Sequence, residues 1–114
     1  MTYDERRDFC LSLPGTTEDV KWENDFCFSV GGKMFAACGL GSEGIGFKCS
    51  EERFHVLIER EGIRPAPYLA RAHWVSVEDA SCVADDEMRE WLREAHAIVR
   101  SKLPKRVQAT LPPM

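Results

Sequence analysis

Apolar and polar residues alternate in two short runs, 26–30 and 34–40, which lie on either side of the pair Gly31-Gly32. Alternation with a period of two is typical of a strand with one buried face, and a glycine pair between two such runs favours a two-residue hairpin turn. We therefore predict two antiparallel strands here. Similar but weaker patterns predict further strands at 17–22, 45–49 and 73–77.

The turn also sets the expected pairing of the two strands. If both glycines form the turn at positive φ, Val30 lies opposite Lys33 and Phe28 lies opposite Phe35. Two aromatic rings would then share the buried face of the sheet.

The segment Gly31-Gly32-Lys33 also invites comparison with a phosphate-binding loop. Such a loop needs a glycine five residues before its Gly-Lys pair, a Ser or Thr after the lysine, and a helix that follows. Those two positions hold Cys27 and Met34, and the segment has the pattern of strand, turn and strand. We therefore predict a hairpin tip, with Lys33 as an exposed charge or a contact residue.

Three segments carry helix signals. Thr2 and Glu5 have the spacing of a capping box, which predicts a helix from about residue 3 to 13. Ser50 before two glutamates predicts a second helix, ended by Gly62. Apolar residues at helical spacing from 88 to 99 predict the last helix, with His96 on its exposed side. The expected core includes Phe9, Phe28, Phe35, Trp91 and Leu92.

The predicted element order is α-β-β-β-β-α-β-α. Strands and helices are segregated along the chain, which favours an α+β fold, a two-layer sandwich with an antiparallel sheet and helices on one face. The length of 114 residues suits one domain. We expect that domain to span 1–107 and to be followed by a loose tail at 108–114.

Composition narrows the function classes. The formal net charge of −4 gives no overall attraction to nucleic acid or to anionic lipid. No apolar run approaches the roughly 20 residues that span a bilayer, and the first residues lack a secretory signal pattern. The five widely spaced cysteines suggest buried free thiols in a reducing cytoplasm. Isolated histidines and the absence of closely spaced cysteines argue against a metal site. With five thiols and three imidazoles, the presence of both types is no evidence for a nucleophile pair, and we expect neither a cofactor nor catalysis.

Positive charge is nevertheless concentrated locally. Four basic residues and no acidic one lie between Arg100 and Met114, and Arg64 and Arg71 lie in a second stretch without acids. If Lys33 and Lys48 emerge nearby, the resulting patch would attract phosphates. The alternative is that these are solvated charges that balance acidic helix starts.

Several blocks resemble, in order, the signature segments of the MmcQ/YjbR family of small bacterial proteins. They are LPGTTEDVKWENDFCFSVGGKMFA, GFKCS, RPAPYLARAHWVSV and KLPKRV. The resemblance implies a frataxin-like (CyaY-like) or secretion-chaperone-like fold and DNA binding without catalysis. Mapped onto this chain, it implies as nucleic-acid-binding residues Lys33, Lys48, Arg64, Tyr68, Arg71, His73, Trp74, Lys102, Lys105 and Arg106.

Two functions remain open at the level of sequence. The first is weak electrostatic binding of DNA through the local basic patch, with Trp74 or Tyr68 stacking on a base. The second is a secretion-chaperone-like module that binds a protein or a small ligand. A contiguous positive surface would favour the first, and an exposed apolar patch would favour the second.

Overall fold

A six-stranded antiparallel sheet forms the frame of the molecule, and the helices pack on one of its faces. The computed structural model describes residues 1–21, 25–39, 43–67 and 69–114. The helices are α1 (Tyr3–Ser12), α2 (Glu51–Leu57), α3 (Asp85–Ser101) and α4 (Lys105–Gln108). The strands are β1 (Thr16–Lys21), β2 (Asp25–Val30), β3 (Lys33–Gly39), β4 (Ile45–Lys48), β5 (Ile63–Pro65) and β6 (Trp74–Val77).

The strand order across the sheet is β1-β2-β3-β4-β6-β5, and every neighbouring pair is antiparallel. The predicted α+β sandwich is confirmed. Two elements were not predicted, namely β5 and α4. Strand β5 follows Gly62, whose φ of +83° turns the chain, and it lies at the sheet edge, where Pro65 is tolerated.

The hairpin register differs from the prediction by one residue from Phe28 back to Asp25. Val30 pairs with Lys33 as expected, but Phe28 pairs with Ala36 instead of Phe35. The pairing shifts because β3 carries one extra residue, a β-bulge at Phe35. Such a bulge lets two neighbouring side chains lie towards the same face, and both Phe35 and Ala36 are fully buried in the core.

The core lies between the sheet and the helices. It contains Phe28, Phe35, Trp91 and Leu92, as predicted. Phe9 is only partly buried, and the guanidinium of Arg93 lies 5.5 Å from the centre of its ring. His96 was expected on the surface, but it has 0% exposed area.

The signals for the starts of the first two helices agree with the structure, but α2 ends at Leu57 and not at Gly62. The Thr2 hydroxyl accepts a hydrogen bond from the Glu5 amide at 3.1 Å, and the Glu5 carboxylate accepts one from the Thr2 amide at 2.9 Å. The Ser50 hydroxyl accepts from the Arg53 amide at the start of α2 at 3.1 Å. These caps satisfy backbone donors that have no partner inside the helix.

The segment predicted as a loose tail, 108–114, begins with the last residue of α4. Helix α4 extends through Gln108, and Leu111 lies against the core. Residues 109–114 contain no helix or strand. Within the described part of the chain, no helix is both long and apolar enough to cross a bilayer.

Candidate nucleic-acid interface

The hairpin turn forms as the glycine pair predicted, and it presents Lys33. Gly31 and Gly32 have φ values of +58° and +81°, the left-handed region that glycine adopts without steric cost. A side chain at Gly31 would collide with Leu103 and would lie 3.1 Å from Val107. The turn is therefore packed against the segment that joins α3 to α4.

Lys48 and Trp74 are neighbours on adjacent strands, where the two residues pair across β4 and β6. The alternation along these strands places them on the face opposite the helices, because the flanking Phe47 and Val75 belong to the core. The Lys48 ammonium donates a hydrogen bond to the carbonyl of Ala72. The helical turn before β6 thus holds the lysine in place.

The third lysine, Lys102, follows the last residue of α3. Together with Lys33, Lys48, Trp74, Leu103 and Pro104 it surrounds an open pocket of about 280 Å³, hereafter the lysine pocket. Burial, and next the positive charge of Lys102, lower the pKa of Lys48 from its ordinary value. Both disfavour the charged amine, and the second is a repulsion between two cations that a nearby anion would relieve.

Leu103 and Pro104 were not among the predicted site residues. They lie between two lysines, and their backbone braces the turn into α4. The Leu103 carbonyl accepts from the Gln108 side chain at 2.8 Å, and the Pro104 carbonyl accepts from the Val107 amide at 2.9 Å. The signal that could have found them is the Leu-Pro pair inside an otherwise basic block.

The remaining predicted residues divide into two groups. Lys105 and Arg106 are exposed on α4, next to the lysine pocket in sequence, and exposed Arg71 precedes the carbonyl that holds Lys48. Arg64 instead lines a separate groove of about 310 Å³ with Asp25 and Ser76.

His73 is not among the described residues that line the lysine pocket. His73 has a φ of +59°, and its ring packs against Phe54, with ring centroids 5.5 Å apart. Its carbonyl accepts a hydrogen bond from the Cys49 amide at 3.0 Å. Tyr68 lies outside the described residues.

The profile of the YjbR family matches residues 11–98. The chain belongs to the YjbR family. The crystal structure of a Deinococcus radiodurans protein with the domain DUF419 superposes with a TM-score of 0.83 at 26% identity, covering 95% of this chain and 86% of that one. A crystal structure of a Pseudomonas syringae protein gives a TM-score of 0.71 at 18% identity, covering 87% and 99%. No curated protein matches the sequence.

The range matched by the YjbR family includes only some of the residues that line the lysine pocket. Lys33, Lys48 and Trp74 fall inside the matched range, whereas Lys102, Lys105 and Arg106 lie beyond residue 98. The sheet half of the pocket is therefore part of the YjbR domain. The half that follows α3 lies outside the matched segment.

In this YjbR protein, the described ion pairs between side chains do not include the basic residues at the lysine pocket. The described ion pairs of side chains join Arg7 to Glu18, Arg53 to Glu90 and Glu94, Arg60 to Glu87, and Arg89 to Asp86. The three lysines of the pocket, with Arg71, Lys105 and Arg106, make no ion pair with a described residue. After burial, the negative charge of Glu94 is the next cause that raises the pKa of the Cys49 thiol. The Nε of Arg53 already donates to both oxygens of this carboxylate at 3.1 Å.

The cysteines of this YjbR protein are all free. Four are buried as predicted, whereas Cys82 was also expected to be buried and is exposed. Burial raises the pKa values of the Cys38 and Cys49 thiols to about 11. A thiol of this kind is a poor nucleophile, because the thiolate is the reactive form. Among the described residues, no three His, Cys, Asp or Glu side chains converge on a metal-sized site.

Proposed function

We propose that this YjbR-family protein binds nucleic acid, and DNA in particular, through the lysine pocket and the basic residues around it. It acts as a binding protein without catalytic chemistry, in the cytoplasm. The observation that carries the proposal is the convergence of Lys33, Lys48 and Lys102 on one pocket without an acidic partner among the described residues. Uncompensated cations at one place are the usual requirement for phosphate binding.

The net charge of −4 does not oppose this proposal. The acidic residues of α3 lie in its first ten residues, and every charged residue from Arg100 to the C-terminus is basic. The last of these acids, Glu94, pairs with Arg53 and lies seven residues before Ser101, about 10 Å along the helix axis. That distance is close to one Debye length at physiological ionic strength. The charged side chains nearest in sequence to the C-terminal end of α3 are therefore basic.

Trp74 contributes the wall of the pocket, not a stacking surface. Only 6% of its area is exposed, which leaves little room for a base on either face of the indole. Contacts to phosphate would therefore dominate, and such contacts position a strand without reading its sequence. We expect weak binding, micromolar or poorer at physiological salt, as is typical of non-specific binders.

The first experiment measures binding against salt. Fluorescent single-stranded and duplex DNA are titrated with the protein at several salt concentrations between about 50 and 200 mM. We expect the logarithm of the binding constant to fall linearly with the logarithm of salt concentration. The slope should be about −0.9 for each phosphate neutralised on duplex DNA and about −0.7 on single strands. The variant Lys105→Gln/Arg106→Gln should flatten the duplex slope by up to about two units.

The matched control is Arg60→Gln/Arg89→Gln, which removes the same charge from residues that are paired with Glu87 and Asp86. This variant should leave the slope close to that of the parent. No binding at tens of micromolar protein and about 50 mM salt would contradict the proposal. An equally flattened slope in both double variants would contradict the assignment of the surface.

A further inference from the structure

The lysine pocket is concave, and this shape separates it from the rest of the basic surface. A flat row of cations can follow any backbone phosphate, whereas a pocket admits only a group that protrudes from the strand. Its volume of about 280 Å³ lies just below the range of pockets that enclose a drug-sized ligand. It therefore suits one small anionic group with the sugar that carries it.

The charge of the pocket points to the kind of group. Three lysines line it, and none of them makes an ion pair with a described residue. A phosphate inside a strand carries a single negative charge. A terminal phosphomonoester carries about −1.5 to −2 at pH 7 and offers three strong acceptor oxygens. The terminal group matches the three cations better in charge and in number of acceptors.

The hydrogen bonds of Lys48 leave donors available for such a group. An ammonium has three N–H donors, and the described partner of Lys48 is the carbonyl of Ala72 alone. That bond fixes the direction of the side chain, so little side-chain entropy is lost when an oxygen binds to the remaining donors. Trp74, Leu103 and Pro104 lower the local dielectric, which strengthens each charged contact.

We propose that the lysine pocket receives the terminal phosphomonoester of a nucleic-acid strand, while Lys105 and Arg106 contact the backbone phosphates that follow. This inference rests on the proposed nucleic-acid binding. The same phosphomonoester chemistry is present in free nucleotides, so the test must separate a strand end from a small molecule.

The test uses single-stranded oligonucleotides of one sequence with a 5′-phosphate, a 3′-phosphate or hydroxyl groups at both ends, each labelled internally. We expect at least one phosphorylated end to bind about tenfold more tightly than the hydroxyl form, the effect of one added hydrogen bond between charged groups. Lys48→Gln should reduce this ratio to below about threefold. Lys105→Gln, as the matched control, should weaken all three oligonucleotides and leave the ratio unchanged.

Three outcomes decide the inference. Equal affinity for all three oligonucleotides, within twofold, overturns it and leaves the proposed function intact. Binding of adenosine monophosphate that depends on Lys48, without binding of any oligonucleotide, overturns both the strand end and the proposed function. A tenfold ratio that persists in Lys48→Gln overturns it too, because the terminal group then binds elsewhere. If Lys48→Gln fails to fold by circular dichroism, Lys33→Gln at an exposed position repeats the test.

Discussion

His96 shows how one buried polar side chain ties the last long helix to the start of the sheet. Its Nε2 lies 2.8 Å from the carbonyl oxygen of Pro14, and its ring meets Phe35 edge-on with centroids 5.3 Å apart. Its Nδ1 has no described hydrogen-bond partner. Burial, opposed in part by the bond to Pro14 and aided by the charge of Arg100, lowers the pKa of His96.

This lowered pKa predicts a dependence of stability on pH. The folded protein holds His96 neutral, whereas the unfolded chain takes up a proton near pH 6.5. The free energy of unfolding should therefore be highest above pH 6.5 and should fall as the pH decreases towards the lowered pKa of the folded state. Urea denaturation between pH 5 and 7.5 measures this, and His96→Gln should show a shallower slope. His55→Gln, at an exposed position, is the control; equal slopes in parent and His96→Gln would contradict the prediction.

The sequence could not reveal the role of His96. Helical spacing places the residue beside the buried stripe, and a polar side chain there is usually exposed. Its partner, the Pro14 carbonyl, lies 82 positions away. A contact at that separation depends on the tertiary fold, whereas the caps at Thr2 and Ser50 depend on residues within one helical turn and were predicted.

The turn of the β2–β3 hairpin packs against the segment around α4. The turn at Gly31 has space for a backbone but not for a side chain, because Leu103 and Val107 fill the volume beside it. At Gly32 nothing lies within 4 Å of the position that a side chain would occupy. Gly31 is therefore favoured both by its positive φ and by the lack of space, whereas Gly32 is favoured by its positive φ alone.

Replacing each glycine in turn distinguishes the cost of the backbone conformation from the cost of the lack of space. Gly32→Ala should lower the free energy of unfolding by about 1 kcal/mol, the cost of left-handed backbone for a residue with Cβ. Gly31→Ala should cost this amount and a further 1–3 kcal/mol or so, because the well-packed segment after α3 must move. Chemical denaturation of both variants checks the difference, and an equal decrease in both would show that Leu103 and Val107 adapt without cost.

At the level of elements, local signals predicted the hairpin turn and the helix starts. The bulge at Phe35 was missed because it satisfies the packing of two side chains against the helix layer, which no pattern inside β3 indicates. Helix α4 was missed because its four residues are stabilised by the hairpin turn, and that turn lies far away along the chain.

Across the whole molecule, charge is divided between two sets of residues. Acidic groups and paired arginines surround α2 and the first half of α3, and unpaired cations surround the lysine pocket. The run of basic residues from Arg100 onwards was evident from the sequence. The meeting of Lys33, Lys48 and Lys102 was not, because they come from three elements that the fold alone brings together.

This division predicts that local charge, and not net charge, controls binding. Asp86→Asn/Glu90→Gln raises the formal net charge from −4 by two units, yet should change the affinity for DNA less than about twofold at 0.15 M salt, because of screening. Lys105→Gln/Arg106→Gln should lower the affinity by about fivefold for each phosphate that is no longer neutralised. Fluorescence anisotropy at fixed salt measures both, and a large gain in the first variant would show that net charge dominates.

The lysine pocket also has a thermodynamic consequence for the intact chain. Its walls come from the hairpin, from two central strands and from the residues after α3, so an unfolded chain has no equivalent of it. Any occupant therefore binds the native state alone and displaces the unfolding equilibrium by mass action, by about 2.7 kcal/mol at a hundred times its dissociation constant. A ligand that fits the pocket fastens the C-terminal segment to the sheet, and the melting temperature itself becomes a report of occupancy.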